Sequence, residues 1–326
     1  MQRTNRKYRL TIGLPPTKVI FTPIVSEAEV FGANLIPSDG DYRIVKRNAV
    51  EITELDIEAN ITSRSGAGST SKTLLQIYNL SPETLEIVEK NNNYIILEAG
   101  YSGEDLHIIF TGQVSEFNTQ RQGQDVVTTL TCGDGYIPNN TVRLSKAFPA
   151  NTKANAVMEY LIQRYKDSGV ALGEYVPQVD PKEKVEYIQL PAPATTTFAM
   201  GYSLSGYLSD ELKELCESLG YVNYIANGRL FIHPKSYTKT TERFIYNTDQ
   251  LYSVRKISST TSTTNSKQDV GVEVIMQLDG RLGVDKQIQI QDGNFAGVYK
   301  ILTCNHAVNY REGAFDTQLT CKQIEV

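Results

Sequence analysis

The 326-residue chain contains no tryptophan, three histidines and four cysteines. His107, His233 and His306 each fall in a strand-like pattern. None stands at metal-ligand spacing from another histidine or in a His-Glu-x-x-His motif, so neither a zinc centre nor a histidine base is expected. Cys132, Cys216, Cys304 and Cys321 are scattered without a Cys-x-x-Cys, which argues for reduced, buried thiols rather than a disulfide framework. Nothing local supports Cys132 and His107 as a nucleophile and its base. No apolar run approaches the ~18 residues of a membrane span. The start, "MQRTNRKYRLTIG", has basic residues but lacks the apolar stretch of a signal peptide. It reads as a polar lead into a strand with Tyr8, Leu10 and Ile12 alternating, and Arg3, Arg6, Lys7 and Arg9 form a basic tip.

Basic charge is also in short supply. Against 32 Lys and Arg stand 37 Asp and Glu, a net charge of −5, which is not the footprint of a general nucleic-acid binder. An acidic balance suits a wall past which phosphates slide without being gripped. "SGAGSTSK" lacks the Gly-x-x-x-x-Gly-Lys-Ser/Thr spacing of a phosphate loop. The acidic loops at Asp134 ("CGDGY") and Asp279 ("LDGR") are ordinary Asp-Gly turn chemistry rather than calcium loops. The sequence therefore offers no catalytic, cofactor-binding or metal-binding residues. It favours a structural or interaction protein over an enzyme.

Tyrosine is abundant, at 19 against 10 phenylalanines, and suits strands and contact surfaces. The length predicts two or three domains. A repeat divides them: "QRQGQDVVTTLTC" (120–132) and "YREGAFDTQLTC" (310–321) each run from a polar arm through a Gly-containing turn to Leu-Thr-Cys. The region from Tyr42 to about Arg64 is extended, with Leu55, Ile57, Ala59 and Ile61 on one face. "SGAGSTS" reads as a flexible loop and "TLLQIYNLS" as a strand. A short helix is predicted from Pro82 to about Lys90, capped by Ser81. Strands through "YIILEAGY", "LHIIFTGQVSEFNTQ" and "DVVTTLTCG" complete a first β region.

The middle is helical in part. Thr152 opens a helix with a stripe of Ala154, Val157, Met158, Leu161, Ile162 and Tyr165, ending near Gly169. The segment "LPAPATTT" leads to a second helix, with Ser209 as its cap and Gly220 as its stop. Asn227-Gly228 between alternating runs predicts a type I′ hairpin. After the polar loop "SSTTSTTNSK", read as mobile, the last part is a β meander. The predicted fold is mainly β with an α+β insertion: two antiparallel β domains, 1–143 and 237–326, flank a small α/β module, 144–236.

The order "IYNLS" (77–81), "IILEAGY" (95–101), "IFTGQV" (109–114) and "GDG" (133–135) resembles the baseplate hub proteins of contractile-tailed bacteriophages. "DELKELCESLGY" with "YIANGRLFIHP" resembles that family's α/β module. "VGVEVIMQL" and the closing "YKILTCNHAVNYREGAFDTQLTCK" resemble its second barrel. The likeness spans nearly the whole chain, with the 14–41 insertion and "QLDGRLG" as departures. It implies two tube-type β-barrels per chain and a homotrimer that matches a six-fold tail tube to a three-fold central spike. The implied partners are the tail tube protein, the spike protein and other baseplate proteins. The implied location is the virion tail baseplate, assembled in the host cytoplasm, with genomic DNA passing unbound through the lumen. Gln120, Arg121, Gln122, Tyr310, Arg311 and Glu312, at the two hairpin tips, are the candidate assembly contacts. Three other readings stand beside this one: a hub of a phage-tail-like injection or secretion particle, a tail-tip hub linked to a cell-wall hydrolase, and a receptor- or glycan-binding β protein.

Overall fold

The computed structural model describes residues 5–13, 28–30, 33–38, 41–45, 49–66, 68–89, 94–173, 196–234, 243–259 and 269–324. The chain is mainly β. Period-two segments become strands with one buried face: Tyr8, Leu10 and Ile12 in strand Arg6–Gly13, and Ile57, Ala59 and Ile61 in strand Ile57–Arg64, are all buried.

Two sets of strands follow one order. In the first, neighbours run Ile57–Arg64, Lys72–Tyr78, Asp125–Gly133, His107–Gln122, Tyr94–Tyr101 and Arg6–Gly13. In the second they run Leu251–Ser259, Asp269–Gln277, Phe315–Gln323, Gly297–Asn309, Gln287–Ile290 and Arg243–Tyr246. Each member of the second set holds the same place in chain order as its counterpart in the first. The opening repeat falls in register: Leu130 pairs with Phe117 and Leu75, and Leu319 with Cys304 and Val274. The sets differ at their outer ends, where the first also carries strand Ala49–Ile52 beside Arg6–Gly13. The pairing of Arg6–Gly13 with Tyr94–Tyr101 is antiparallel, whereas its counterpart, Arg243–Tyr246 with Gln287–Ile290, is parallel.

The two sets are joined edge to edge. Strand Gly297–Asn309 pairs with strand Ile57–Arg64 from Thr303↔Arg64 to Asn309↔Glu58. The first core continues across this seam, because Leu278, Val308 and Phe315 of the second set pack into the cluster built on Leu10, Ile12, Leu75 and Leu97. Buried apolar area stabilises by about 25 cal/mol per Å², so a core shared across the seam ties the sets into one body.

Between them lies the α/β module. Helices Ala154–Asp167 and Leu208–Ser218 turn Val157, Met158, Leu161, Tyr165, Leu212 and Leu215 into a separate core. This core closes against hairpin Tyr221–Ala226 and Arg229–Pro234. Asn227 and Gly228 both have positive φ, 51° and 72°, as a type I′ turn requires. Gly220, at φ 80°, ends the second helix as expected.

Several local expectations change. Ser81 does cap helix Pro82–Val88, its side chain accepting from the Thr84 amide. Thr152, by contrast, does not open a helix. Its hydroxyl donates to the Pro149 carbonyl, residues Thr152–Lys153 pair with Thr197–Phe198, and the helix starts at Ala154. Ser209 lies inside its helix rather than at the cap. Tyr207 holds the cap position, and the Ser209 hydroxyl donates to the Asn139 carbonyl instead. The segment read as a flexible loop is docked: Ser69–Thr70 adds a parallel strand to Tyr221–Ala226, and the Gly68 amide donates to the Asn223 carbonyl. Helix Tyr136–Asn140 was not foreseen, nor was the strand pair Arg143–Phe148 with Tyr202–Tyr207. The 14–41 insertion and the residues just after it contribute a three-stranded sheet of Ala28–Val30, Ala33–Ser38 and Asp41–Val45. Most of "SSTTSTTNSK" and "LPAPATTT" lies outside the described residues.

Candidate functional site: hairpin arms, strand edges and a buried junction

The two hairpin tips are unlike. In the first, Gln122 pairs with Asp125 around Gly123 and Gln124. Gly123 takes φ 64°, as the first position of a two-residue hairpin loop demands of a glycine. Beyond Gln113 the arm strand His107–Gln122 keeps only one described neighbour, Asp125–Gly133. Gln120, Arg121 and Gln122 are exposed along this projection, as is Phe117 at 45 %. The return side of the tip is held by Asn79, whose side chain donates to Asp125 and accepts from the Val126 amide.

The second tip is folded back on its own chain. The Arg6 guanidinium donates to the carbonyls of Asn309 (2.6 Å) and Gly313 (2.8 Å). The Tyr310 amide donates to the Ile57 carbonyl, and its ring meets Tyr8 edge-on at 4.9 Å. Tyr310 is therefore half-buried, while Arg311 and Glu312 remain exposed. Of the basic tip, Arg6 holds this hairpin and Arg9 pairs with Glu98 at 3.1 Å. Arg3 lies outside the described residues.

Two strand edges lack a described partner. One is the outer edge of the first arm, past Gln113. The other is strand Leu251–Ser259, which ends the large sheet and has Tyr252 exposed at 55 %. Unpaired edges of this length are templates for added strands.

A buried ionic junction ties the three parts of the chain together. The Asp285 carboxylate accepts from Ser65 Oγ at 2.8 Å and from Lys300 Nζ at 2.8 Å, and its second oxygen lies 2.8 Å from His233 Nε2. The other ring nitrogen of His233 faces the Pro234 carbonyl at 2.9 Å. Desolvation alone would raise the Asp285 pKa, but the His233 hydrogen bond and the Lys300 charge outweigh it and hold the carboxyl well below the usual range. Serine, histidine and aspartate meet here, but in an order that suits anchoring and not nucleophilic attack. The aspartate lies between the other two, so the Ser65 hydroxyl points to a carboxylate and not to an imidazole base.

Asp134 forms a second cross-link between parts. It accepts from the Gly228 amide at 2.9 Å and so ties the "CGDG" turn to the tip of the Asn-Gly hairpin. Burial lifts its pKa to about 7, against the lowering effect of backbone amides at Gly228, Gly135 and Asn227.

The thiols are inert by environment. All four cysteines are buried and unpaired. Burial pushes Cys216 and Cys304 up to about 12 and Cys132 and Cys321 higher still. Cys304 Sγ lies 3.3 Å from His306 Nε2, yet burial lowers His306 to about 4, and the pair is a neutral core contact. Alkylation of the native protein at pH 7.5 is expected to label none of the four thiols, and alkylation in denaturant without reductant all four; mass spectrometry checks it. Among the described residues, no group of His, Cys, Asp and Glu could hold a metal ion, and no helix is long and apolar enough to cross a membrane.

Sequence reasoning missed the Asp285 junction and the two edges without a described partner. Asp285 sits in "GVDK" with no local signature, and its partners lie 220, 52 and 15 positions away in the chain. Edges are a property of sheet order, to which the Leu-Thr-Cys repeat was the available pointer.

No family model matches the chain, and no curated protein matches it in sequence. Solved structures do. A 43 kDa tail protein of prophage MuSo2 from Shewanella oneidensis aligns with a TM-score of 0.57 at 11% identity, covering 83% of this chain and 93% of the other. The chain has the fold of a phage tail protein. A tail protein from Neisseria meningitidis aligns at 0.57 and 8% identity, over 84% and 94% of the two chains. An Escherichia coli component of the type VI secretion system, described as similar to the T4 tail proteins gp27 and gp5, aligns at 0.55 and 8% identity, over 83% and 74%.

Proposed function

We propose that this tail-fold chain is a structural baseplate hub. Three copies close a ring in which six similar β units surround a channel. The ring presents six-fold symmetry to a tail tube and three-fold symmetry to a central spike. The single observation that carries the reading is that the chain contains two units of one strand order, already paired edge to edge. A chain that joins two such units and has an edge without a described partner on each can repeat the join head to tail. A head-to-tail contact gives a closed ring when its rotation divides the circle, and three steps of this chain give six units. Obligate interfaces of this kind bury about 2,000–5,000 Å². The net charge of −5 suits a channel wall that does not retain DNA.

In this reading 1–143 and 237–326 are tube-type barrels and 144–236 is the module that faces the spike. The exposed hairpin residues Gln120, Arg121, Gln122, Arg311 and Glu312 contribute to assembly. Tyr310 contributes only by shaping its own hairpin, since its ring is engaged with Tyr8. The tube, spike and other baseplate proteins are its partners, and the virion tail, assembled in the host cytoplasm, is its location. The likeness to a type VI secretion component supports a second reading, a hub of a phage-tail-like particle. Tube, tape-measure and capsid genes beside this one would favour the phage, and secretion genes the particle.

The test is native mass spectrometry of the purified protein, alone and with its cognate spike. A trimer is expected. A monomer that persists with the spike present contradicts the hub. No peptidoglycan turnover is expected from the same preparation. Turnover that disappears in Cys132→Ala or His107→Ala would replace the structural reading with a hydrolase.

A further inference from the structure

We infer that the ring is closed by one specific strand pairing: the outer edge of residues 116–122 of one copy takes residues 253–259 of a second copy as an antiparallel neighbour, with Gln120 opposite Arg255. The inference rests on the hub reading and adds the contact and its register.

The chain itself supplies the template. Strand Gly297–Asn309 divides its outer edge in two. Up to Lys300 it pairs with Gln287–Ile290, and from Thr303 it pairs with Ile57–Arg64 of the other unit. Its counterpart, His107–Gln122, divides in the same way: up to Gln113 it pairs with Tyr94–Tyr101, and from there the edge has no partner among the described residues. The changeover carries the same device in both. The ladder to the following strand slips between Ile301 and Thr303 in one unit and between Val114 and Glu116 in the other. A bulge bends its strand and ends one pairing as another begins. The strand that fills the open half in the template is the first of its order, Ile57–Arg64. Its counterpart is Leu251–Ser259, the other strand whose edge lacks a described partner.

The register follows from the ladders alone. Leu130 and Leu319 are equivalent through the repeat, which makes Gln120 the counterpart of Ala307 and Arg255 the counterpart of Asn60. In the template Ala307 lies opposite Asn60. Carried over, Gln120 faces Arg255, Arg121 faces Val254 and Gln122 faces Ser253. No like charges meet. A slip of one residue turns every side chain to the other face, and in one direction it sets Arg121 against Arg255. Arg255 is shared with Glu273 on the neighbouring strand, which leaves its exposed head beside an amide rather than a second cation.

Disulfide trapping reads the register directly. Gln120→Cys is made in one preparation and Arg255→Cys in another of distinguishable mass, and the two are mixed under mild oxidation. The native thiols are buried and do not compete. Residues opposite each other in an antiparallel ladder have Cα atoms about 4.5–5.5 Å apart, inside the ~4.4–6.8 Å of a disulfide, whereas residues displaced by two positions do not. The mixed cross-link is expected at least ~10-fold above that of Gln120→Cys with Ile257→Cys. A trimer by native mass with equal or inverted yields overturns the register and leaves the hub standing. A mixture that stays monomeric and gives no cross-link overturns both.

Discussion

Replacing Asp285 by alanine is expected to destabilise the fold by about 3–5 kcal/mol, the cost of leaving buried partners of an ion pair uncompensated. The carboxylate is the shared acceptor of Ser65, His233 and Lys300, so its loss removes the counter-charge beside a buried ammonium and a hydrogen-bond partner of a buried imidazole at once. Asp285→Asn keeps the shape and one acceptor oxygen but loses the charge, and should sit between wild type and alanine. The effect depends on pH with a definite sign. The Asp285 pKa is lowered in the folded state, so its contribution is complete above the ordinary carboxylate pKa near 4 and is lost as pH falls through the folded value. Wild type and Asp285→Ala should therefore differ most at neutral pH and converge in acid. Chemical denaturation of both at pH 7 and in stronger acid checks this, and a gap that widens toward acid would refute the assigned role. Because Ser65, His233 and Asp285 come from the three parts of the chain, the alanine variant should also lose the single cooperative transition.

The second large effect concerns the arms, which the sequence presents as equivalent and the structure does not. Replacing residues 121–126 by Asn-Gly removes the tip of the first arm and, within its own fold, the exposed side-chain bonds of Asn79 to Asp125 and Val126. It is expected to weaken trimerisation by at least ~10-fold, about 1.4 kcal/mol. The melting temperature should stay within the ~2–4 °C that ~1 kcal/mol moves a chain of this size. The corresponding cut at 310–314 has the opposite signature. There Arg6 binds the Asn309 and Gly313 carbonyls and Tyr8 holds the Tyr310 ring, so the cut removes contacts within one fold. It should lower melting temperature more than it lowers trimer affinity. Analytical ultracentrifugation across a dilution series, read beside thermal melts, separates the two cases. Equal behaviour of both cuts would mean that neither arm has the place given to it.

The contrast between the arms marks how far the sequence could be read. Leu-Thr-Cys at 130–132 and 319–321 was enough to find two units of one strand order, because a buried strand fixes its register through alternate side chains. The helical stripe from Ala154 and the Asn227-Gly228 turn were equally legible, since both are settled by neighbours in the chain. What could not be read depends on distant partners. Ser69–Thr70 looked like free loop because its composition is small and polar, yet the edge of Tyr221–Ala226 takes it as a strand. Ser209 looked like a cap because a hydroxyl preceded an amphipathic stripe, but the Asn139 carbonyl claims that hydroxyl. The assembly residues were sought at hairpin tips, where polar exposure is visible in sequence. The stronger candidates are the backbone edges beside them, which carry no residue signature.

A ring of three chains with six equivalent units can be imaged directly. Class averages of the purified protein viewed along the ring axis, by electron microscopy, are predicted to show six lobes of similar size around an open channel. Three lobes without a channel, or isolated particles of single-chain size at micromolar concentration and with spike present, would contradict it.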